Sequence, residues 1–126
     1  MQIPNNPTGV VEPLQRGDVY QVNLEPTVGG EIKKTRPALV IQNDIGNNYS
    51  PVTIVAPISS AKEITKPLPI MVFLNDGEGG LSGVGYVDCG QIRTVDKNAR
   101  LVHKWGRLSA RRMAEVDRSL RISLAL

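Results

Sequence analysis

Residues 37–60 read PALVIQNDIGNNYSPVTIVAPISS, two short, almost wholly apolar runs separated by a string of turn formers. Pro37 opens the run Ala38-Leu39-Val40-Ile41, and Val52 to Ile58 makes the second, richer in β-branched residues. Runs of this length and composition belong to strands covered on both faces, so the pair is expected at the centre of a sheet. Between them, Asn43-Asp44-Ile45-Gly46-Asn47-Asn48 is dense in residues that favour turns.

Towards the N-terminus, Asp18 to Leu24 alternates, with Tyr20, Val22 and Leu24 on one face and Val19, Gln21 and Asn23 on the other. That period of two predicts a half-buried first strand. Glu25 to Arg36 is a long polar loop with Gly29 and Gly30 adjacent, longer than a hairpin requires, and such length points to function. Residues 1–14, broken by Pro4, Pro7 and Pro13, read as a flexible leader, and residues 15–126 as one domain.

Towards the C-terminus, Ile70 to Leu74 and Val84 to Asp88 are expected as strands around a glycine-rich loop, Asn75 to Gly83. Gln91 to Val95 and Leu101 to Trp105 add two more around a helical turn at Asp96 to Arg100. Ser109 can cap a final helix in which Met113, Val116, Leu120 and Leu124 recur at spacings of three and four. Several short strands and one terminal helix predict a mainly β (α+β) single domain, a small and strongly curved barrel without βαβ units.

The 126 residues suit one core, and with 40% hydrophobic and 21% charged residues the chain is too apolar for disorder. Aromatics at 4% leave few platforms for stacking bases. No stretch approaches the roughly 18 apolar residues of a membrane helix. With a polar N-terminus in place of an export signal, a cytosolic protein is expected. Cys89 can form neither an internal disulfide nor a cysteine zinc site by itself and is expected as a small buried residue. The net charge of +3 is uneven: nine Lys/Arg face three acids from Arg93 to Arg121, against six basic and nine acidic residues before. Such asymmetry fits a polyanion or an acidic partner, and equally a solvated helix face.

Residue supply narrows the chemistry. The lone His103 excludes a histidine pair for acid–base work and is expected to be structural beside Trp105. The acids show no metal-ligand spacing and the glycines no phosphate-loop motif, so neither metal nor cofactor is expected. What remains is Glu31, Lys33, Lys34, Thr35 and Arg36 at the close of the long loop, with Ser59 and Ser60 just beyond the second central run. If the two runs are neighbours, these ends meet. An arginine beside a hydroxyl can hold a phosphodiester and stabilise the charge that grows when a ribose 2′-OH attacks its own phosphate. Taken by themselves, the same residues read more readily as a loop salt bridge and a strand-end cap.

A family resemblance bears on that choice. Arg16-Gly17-Asp18-Val19-Tyr20, Gly30-Glu31, Lys34-Thr35-Arg36-Pro37, the run from Val40 to Asn47, Val55-Ala56-Pro57-Ile58, and Gln91-Ile92-Arg93-Thr94-Val95-Asp96 resemble, in order, the motifs of MazF/PemK-type toxins of type II toxin-antitoxin systems. The resemblance runs from Arg16 to the C-terminus. It implies an SH3-like barrel, a homodimer, and an mRNA interferase that cuts single-stranded RNA at a short sequence without metal, leaving a 2′,3′-cyclic phosphate and a 5′-OH. It also implies a cognate antitoxin whose acidic, flexible tail blocks the RNA groove, and DNA binding by the toxin–antitoxin complex.

Carried over by position, the family's catalytic arginine falls on Arg36, its hydroxyl residue, usually threonine, on Ser59, and its loop acid on Glu31. RNA contacts fall on Lys33, Lys34, Thr35, Asn43, Ser60, Gln91 and Arg93. Serine lacks the methyl group that restricts χ1. Arginine does not lose its proton near neutral pH and so does not suit a general base; Arg36 is assigned charge stabilisation, with proton donation to the leaving oxygen as a further role open to it. Glu31, or the Ser59 hydroxyl acting through water, is the base, and the carboxylate is intrinsically the more basic. Two alternatives stand beside this reading. One is a gyrase-poisoning toxin of the same fold, a group typically ending in a Trp-Gly-Ile-like tail where this chain ends Ser123-Leu124-Ala125-Leu126; the other is a non-catalytic RNA-binding relative. Finally, Arg111 and Arg112 fall in the first turn of the last helix, where the dipole disfavours a cation by about 0.3–1 kcal/mol each, and are expected to bind an anionic partner, the antitoxin tail or phosphates flanking the cut.

Overall fold

A computed structural model describes residues 13–126; the first twelve residues of the expected leader lie outside the described residues. Seven strands, β1 (Asp18–Asn23), β2 (Thr35–Val40), β3 (Val52–Ser60), β4 (Met71–Leu74), β5 (Gly85–Asp88), β6 (Arg93–Asp96) and β7 (Leu101–Arg107), form one antiparallel sheet. Its order is β4-β5-β3-β2-β1-β7, with β6 also on β3. The two apolar runs of the opening stretch are β2 and β3, side by side at the centre as expected. β3 is long enough to serve two partners on one edge, β6 along Val52 to Val55 and β5 along Ile58 to Ser60. This shared strand bends the sheet into the expected curved barrel.

A turn between β4 and β5, Glu78–Gly80, packs against β7 and closes the barrel. The approach is so tight that a Cβ on Gly80, at φ +81°, would strike the Trp105 carbonyl, and one on Gly79 would press on Leu108 and Val19. The glycines of the expected loop are therefore required for closure.

The barrel buries both faces of its central strands. Val19, Leu39, Ala56, Ile58, Leu74 and Val87 fill the main core, which α3 (Ala110–Leu124) covers with Val116, Met113 and Leu120. Val22, Leu24, Ala38, Val40, Val55 and Val95 form a second cluster on the opposite face. Strand β1 is thus apolar on both sides, with Val19 and Val22 both fully buried, in place of the half-buried strand its alternation predicts. The second face is covered by Ile32 of the long loop and by Leu14 and Leu101. Leu124 also departs from expectation: it sits exposed in the last helical turn, past the edge of the core.

The turn formers after β2 build a six-residue helix, α1 (Asp44–Tyr49). Asn43 caps it by accepting from the Gly46 N–H at 2.8 Å. Buried Asn47 accepts from the Thr53 hydroxyl at 2.7 Å and donates to the Gln42 carbonyl at 2.9 Å. Asn and Asp favour turns because their side chains bond nearby backbone, and here those bonds cap and anchor a helical turn. The helical turn expected after β6 is α2 (Lys97–Arg100), capped by Asp96. Cys89 is buried as expected, and burial pushes its thiol up to about 12. His103 lies on the exposed side of β7, edge-on to Trp105. No helix among the described residues is long and apolar enough to cross a membrane.

Candidate active site

The β2–β3 register, in which Ala38 faces Pro57, carries on to set Arg36 opposite Ser59 at the end of the pair. Alternation puts Arg36 and Ser59 on the face that also carries Ala38, Val40 and Val55. Arg36 Nη1 donates to Ser59 Oγ at 3.3 Å and to Glu63 Oε1 at 3.2 Å, while its Nε donates to the Lys33 carbonyl at 2.7 Å. The Arg36 side chain is only 12% exposed and Ser59 4%. Among the described residues Nη2 donates no hydrogen bond.

Ser60 turns the chain out of β3. Its hydroxyl accepts from the Lys62 N–H, and Glu63 Oε1 accepts from the Ser60 N–H at 3.1 Å, a capping box around the short 3-10 turn Ala61–Glu63. A salt bridge and a strand-end cap are therefore present here, but both are built by Glu63, outside the residues singled out in the sequence. Glu63 was missed as a site residue in the sequence. Its signal was the Ser-x-x-Glu spacing of Ser60 to Glu63 directly after a strand.

Glu31 stands apart from this cluster. Its carboxylate accepts from the Val28 N–H at 2.7 Å, and among the described residues no hydrogen bond or ion pair joins it to Arg36 or Ser59. It lines an open groove of about 650 Å³ with Leu24, Pro57, Gln91 and Arg93. Pro57 lies two residues before Ser59 on the same face of β3, so the groove runs alongside the arginine. Gln91 and Arg93 hold the long loop in place: Gln91 Oε1 accepts from the Ile32 N–H at 2.7 Å, and Arg93 donates to the Leu24 carbonyl. Within the loop, the Lys34 N–H donates to Glu25 at 2.8 Å, and this bond is the main reason that the Glu25 carboxyl lies below its usual range. Lys34 takes up φ +75°, a left-handed conformation uncommon outside glycine.

Of the residues singled out in the sequence, the structure brings together Arg36, Ser59 and Ser60, with Lys33 joined through its carbonyl. Lys33, Lys34 and Thr35 are exposed at the start of β2, and Glu31, Gln91 and Arg93 line the adjoining groove. Asn43 lies beyond the opposite end of β2 as the cap of α1, apart from Arg36.

The paired arginines of the last helix separate. Arg111 is exposed, with Glu115 at 3.8 Å. Arg112 is buried: its Nε donates to both Glu78 oxygens at 3.0 and 3.1 Å and its Nη1 to Glu115 Oε1 at 2.9 Å. The expectation that Arg112 binds an anionic partner is overturned, because its position on the first turn points inward at the closing turn of the barrel. The Arg112 bond holds the Glu78 carboxyl below the usual carboxylate range.

A family model described as PemK-like, MazF-like toxin of type II toxin-antitoxin system matches residues 15–124. The chain belongs to this toxin family. It is 45% identical over 113 residues to Endoribonuclease EndoA of Bacillus subtilis (strain 168), covering 90% of this chain and 96% of that one. It is 42% identical to Endoribonuclease MazF of Staphylococcus saprophyticus, over 90% and 92% of the two chains. In structure it is similar to MazF from Deinococcus radiodurans, at a TM-score of 0.74 and 26% identity over 91% of this chain and 99% of that one. It is also similar in fold to an endoribonuclease from mycobacterial species in complex with its cognate antitoxin, at a TM-score of 0.73 and 21% identity over 90% and 96%. The motif resemblance is borne out, and with it the barrel fold and the expectation of an endoribonuclease. The names of the curated relatives favour that expectation over the gyrase-poisoning alternative.

Proposed function

We propose that this toxin cuts single-stranded mRNA at a short sequence, without a metal ion, by attack of a ribose 2′-OH on its own phosphate at Arg36. The observation that carries the reading is the Arg36–Ser59 contact at the joined ends of β2 and β3, with an arginine edge left over for a phosphate. The 2′-oxygen bonds to phosphorus and the bond to O5′ breaks, leaving a 2′,3′-cyclic phosphate and a 5′-OH. Arg36 stays protonated throughout and stabilises the charge on the non-bridging oxygens, so O5′ takes its proton from water. Ser59, nearly covered, orients the guanidinium. Glu31, an exposed carboxylate on the same groove, accepts the 2′-OH proton.

The exposed Lys33, Lys34 and Thr35, together with Ser60, Gln91 and Arg93, flank the RNA path. Asn43 serves as a helix cap in this proposal. The toxin works in the cytoplasm as a homodimer and is held inactive by an antitoxin with an acidic tail that competes for the groove. The toxin–antitoxin complex binds DNA. The similarity to an endoribonuclease solved with its cognate antitoxin supports the antitoxin partnership.

The test is cleavage of one long RNA in EDTA by the wild type and by Arg36→Ala, with sequencing of the new 5′ ends. Cuts at a common short sequence, bearing 5′-OH ends and absent with the variant, are expected. Activity lost in EDTA and restored by Mg²⁺ would contradict the proposal.

A further inference from the structure

We propose that Glu63 is a positioning residue for Arg36, fixing the guanidinium plane while occupying a donor that RNA phosphate would otherwise take. The inference rests on the reading of Arg36 as the group that stabilises charge. One oxygen, Glu63 Oε1, accepts both from the Ser60 N–H at 3.1 Å and from Arg36 Nη1 at 3.2 Å. The capping box therefore sets the carboxylate by the same strand end that carries Ser59. Arg36 is held at three points: the Lys33 carbonyl on Nε, and the Ser59 hydroxyl and Glu63 carboxylate on Nη1. Two adjacent nitrogens so bonded define the plane of a guanidinium, which is rigid.

The carboxylate has a second effect of opposite sign. It is an anion 49% exposed beside a cation 12% exposed, so it faces incoming RNA and opposes the approach of a phosphate. Glu63 thus favours orientation and disfavours binding. The two effects separate by substitution. In Glu63→Gln the amide oxygen still accepts from Ser60 and Arg36, so the orientation survives while the negative charge is gone. In Glu63→Ala both are lost.

The experiment measures kcat and KM for a cleavable RNA, and the Arg36 guanidinium resonances by NMR without RNA, for the wild type, both variants and Arg36→Ala. For Glu63→Gln we expect kcat within about twofold of wild type and KM lowered about threefold, the scale of a half-exposed ion pair. For Glu63→Ala we expect KM lowered similarly and kcat lowered on the order of tenfold or more, as misplaced catalytic groups produce. The two Arg36 Nη groups should give separate resonances in the wild type and Glu63→Gln, and merged ones in Glu63→Ala, where rotation is freed. Unchanged KM in Glu63→Gln, or unchanged kcat and separate Nη resonances in Glu63→Ala, would overturn the inference and leave Glu63 as a cap. If the wild type cuts no RNA, or Arg36→Ala cuts as well as wild type, the nuclease reading fails instead, and the Nη resonances still decide whether Glu63 holds Arg36.

Discussion

Arg36 and Arg112 are both largely buried, and both are bonded to a glutamate, yet the roles proposed for them differ. Arg112 meets two carboxylates, Glu78 on the closing turn and Glu115 on its own helix, through three hydrogen bonds. Its charge is balanced, Glu115 being shared with Arg111, and its bonds tie the last helix to the turn that shuts the barrel. Arg36 meets one half-exposed carboxylate, one hydroxyl and one carbonyl, on the sheet face from which Pro57 lines an open groove. Burial does not separate the structural arginine from the one proposed as catalytic. The number of carboxylates bonded to each, two against one, does, because each added anion cancels more of the positive potential that a developing charge would meet.

The comparison breaks first if Arg36 proves dispensable. Arg36→Ala should lower cleavage by about 10²–10³-fold, the usual cost of removing one charge-stabilising donor, while the thermal midpoint stays close to wild type. A variant that cuts at the wild-type rate would make Arg36 a second Arg112. Next, Ser59→Ala should lower the rate on the order of 10²-fold, and Ser59→Thr should keep it, since the hydroxyl remains and the added methyl restricts χ1. Equal rates for Ser59→Ala and the wild type would move the role to Ser60.

Arg112 should show the reverse pattern. Arg112→Ala leaves Glu78 without its hydrogen-bonded cation and Glu115 with Arg111 alone, and should cost about 1–3 kcal/mol of stability in a denaturant titration. Activity per folded molecule should hold. A smaller effect is expected with pH. The Glu78 carboxyl is lowered chiefly by the Arg112 bond, so its contribution is complete above the unfolded carboxylate value and is lost as pH falls through the lower folded one. The thermal midpoint of the wild type should therefore fall more steeply below about pH 4 than that of Arg112→Met, where the glutamate titrates without its partner. Parallel curves would show that the bond contributes nothing.

The difference between the two arginines was only partly legible in the sequence. The central strands were, because two short apolar runs have few other uses, and so was the last helix, with Ser109 at its start and Val116 at its heart. Arg36 and Ser59 were legible as a pair only on the condition that the two central runs are neighbours, since each flanks one run at the end where they then meet. The inward turn of Arg112 was not, since its partner Glu78 lies 34 residues away in sequence and first-turn positions face core and solvent alike. Glu63 was not read at all, although its spacing from Ser60 marks a cap; its pairing with Arg36 depends on how far the turn after β3 folds back. The helix α1 was hidden because its stability comes from the side-chain bonds of Asn43 and Asn47, not from a helical period.

The claim that Arg36 serves an attack by the RNA's own 2′-OH is tested most directly by one atom of the substrate. Once the cut site is mapped, a short RNA containing it should be compared, in EDTA, with the same RNA carrying a single 2′-deoxy nucleotide just 5′ of the cut. The account predicts cleavage of the first to a 2′,3′-cyclic phosphate and no cleavage of the second at that bond. Cleavage of the deoxy substrate at a comparable rate would show that water is the nucleophile and contradict it.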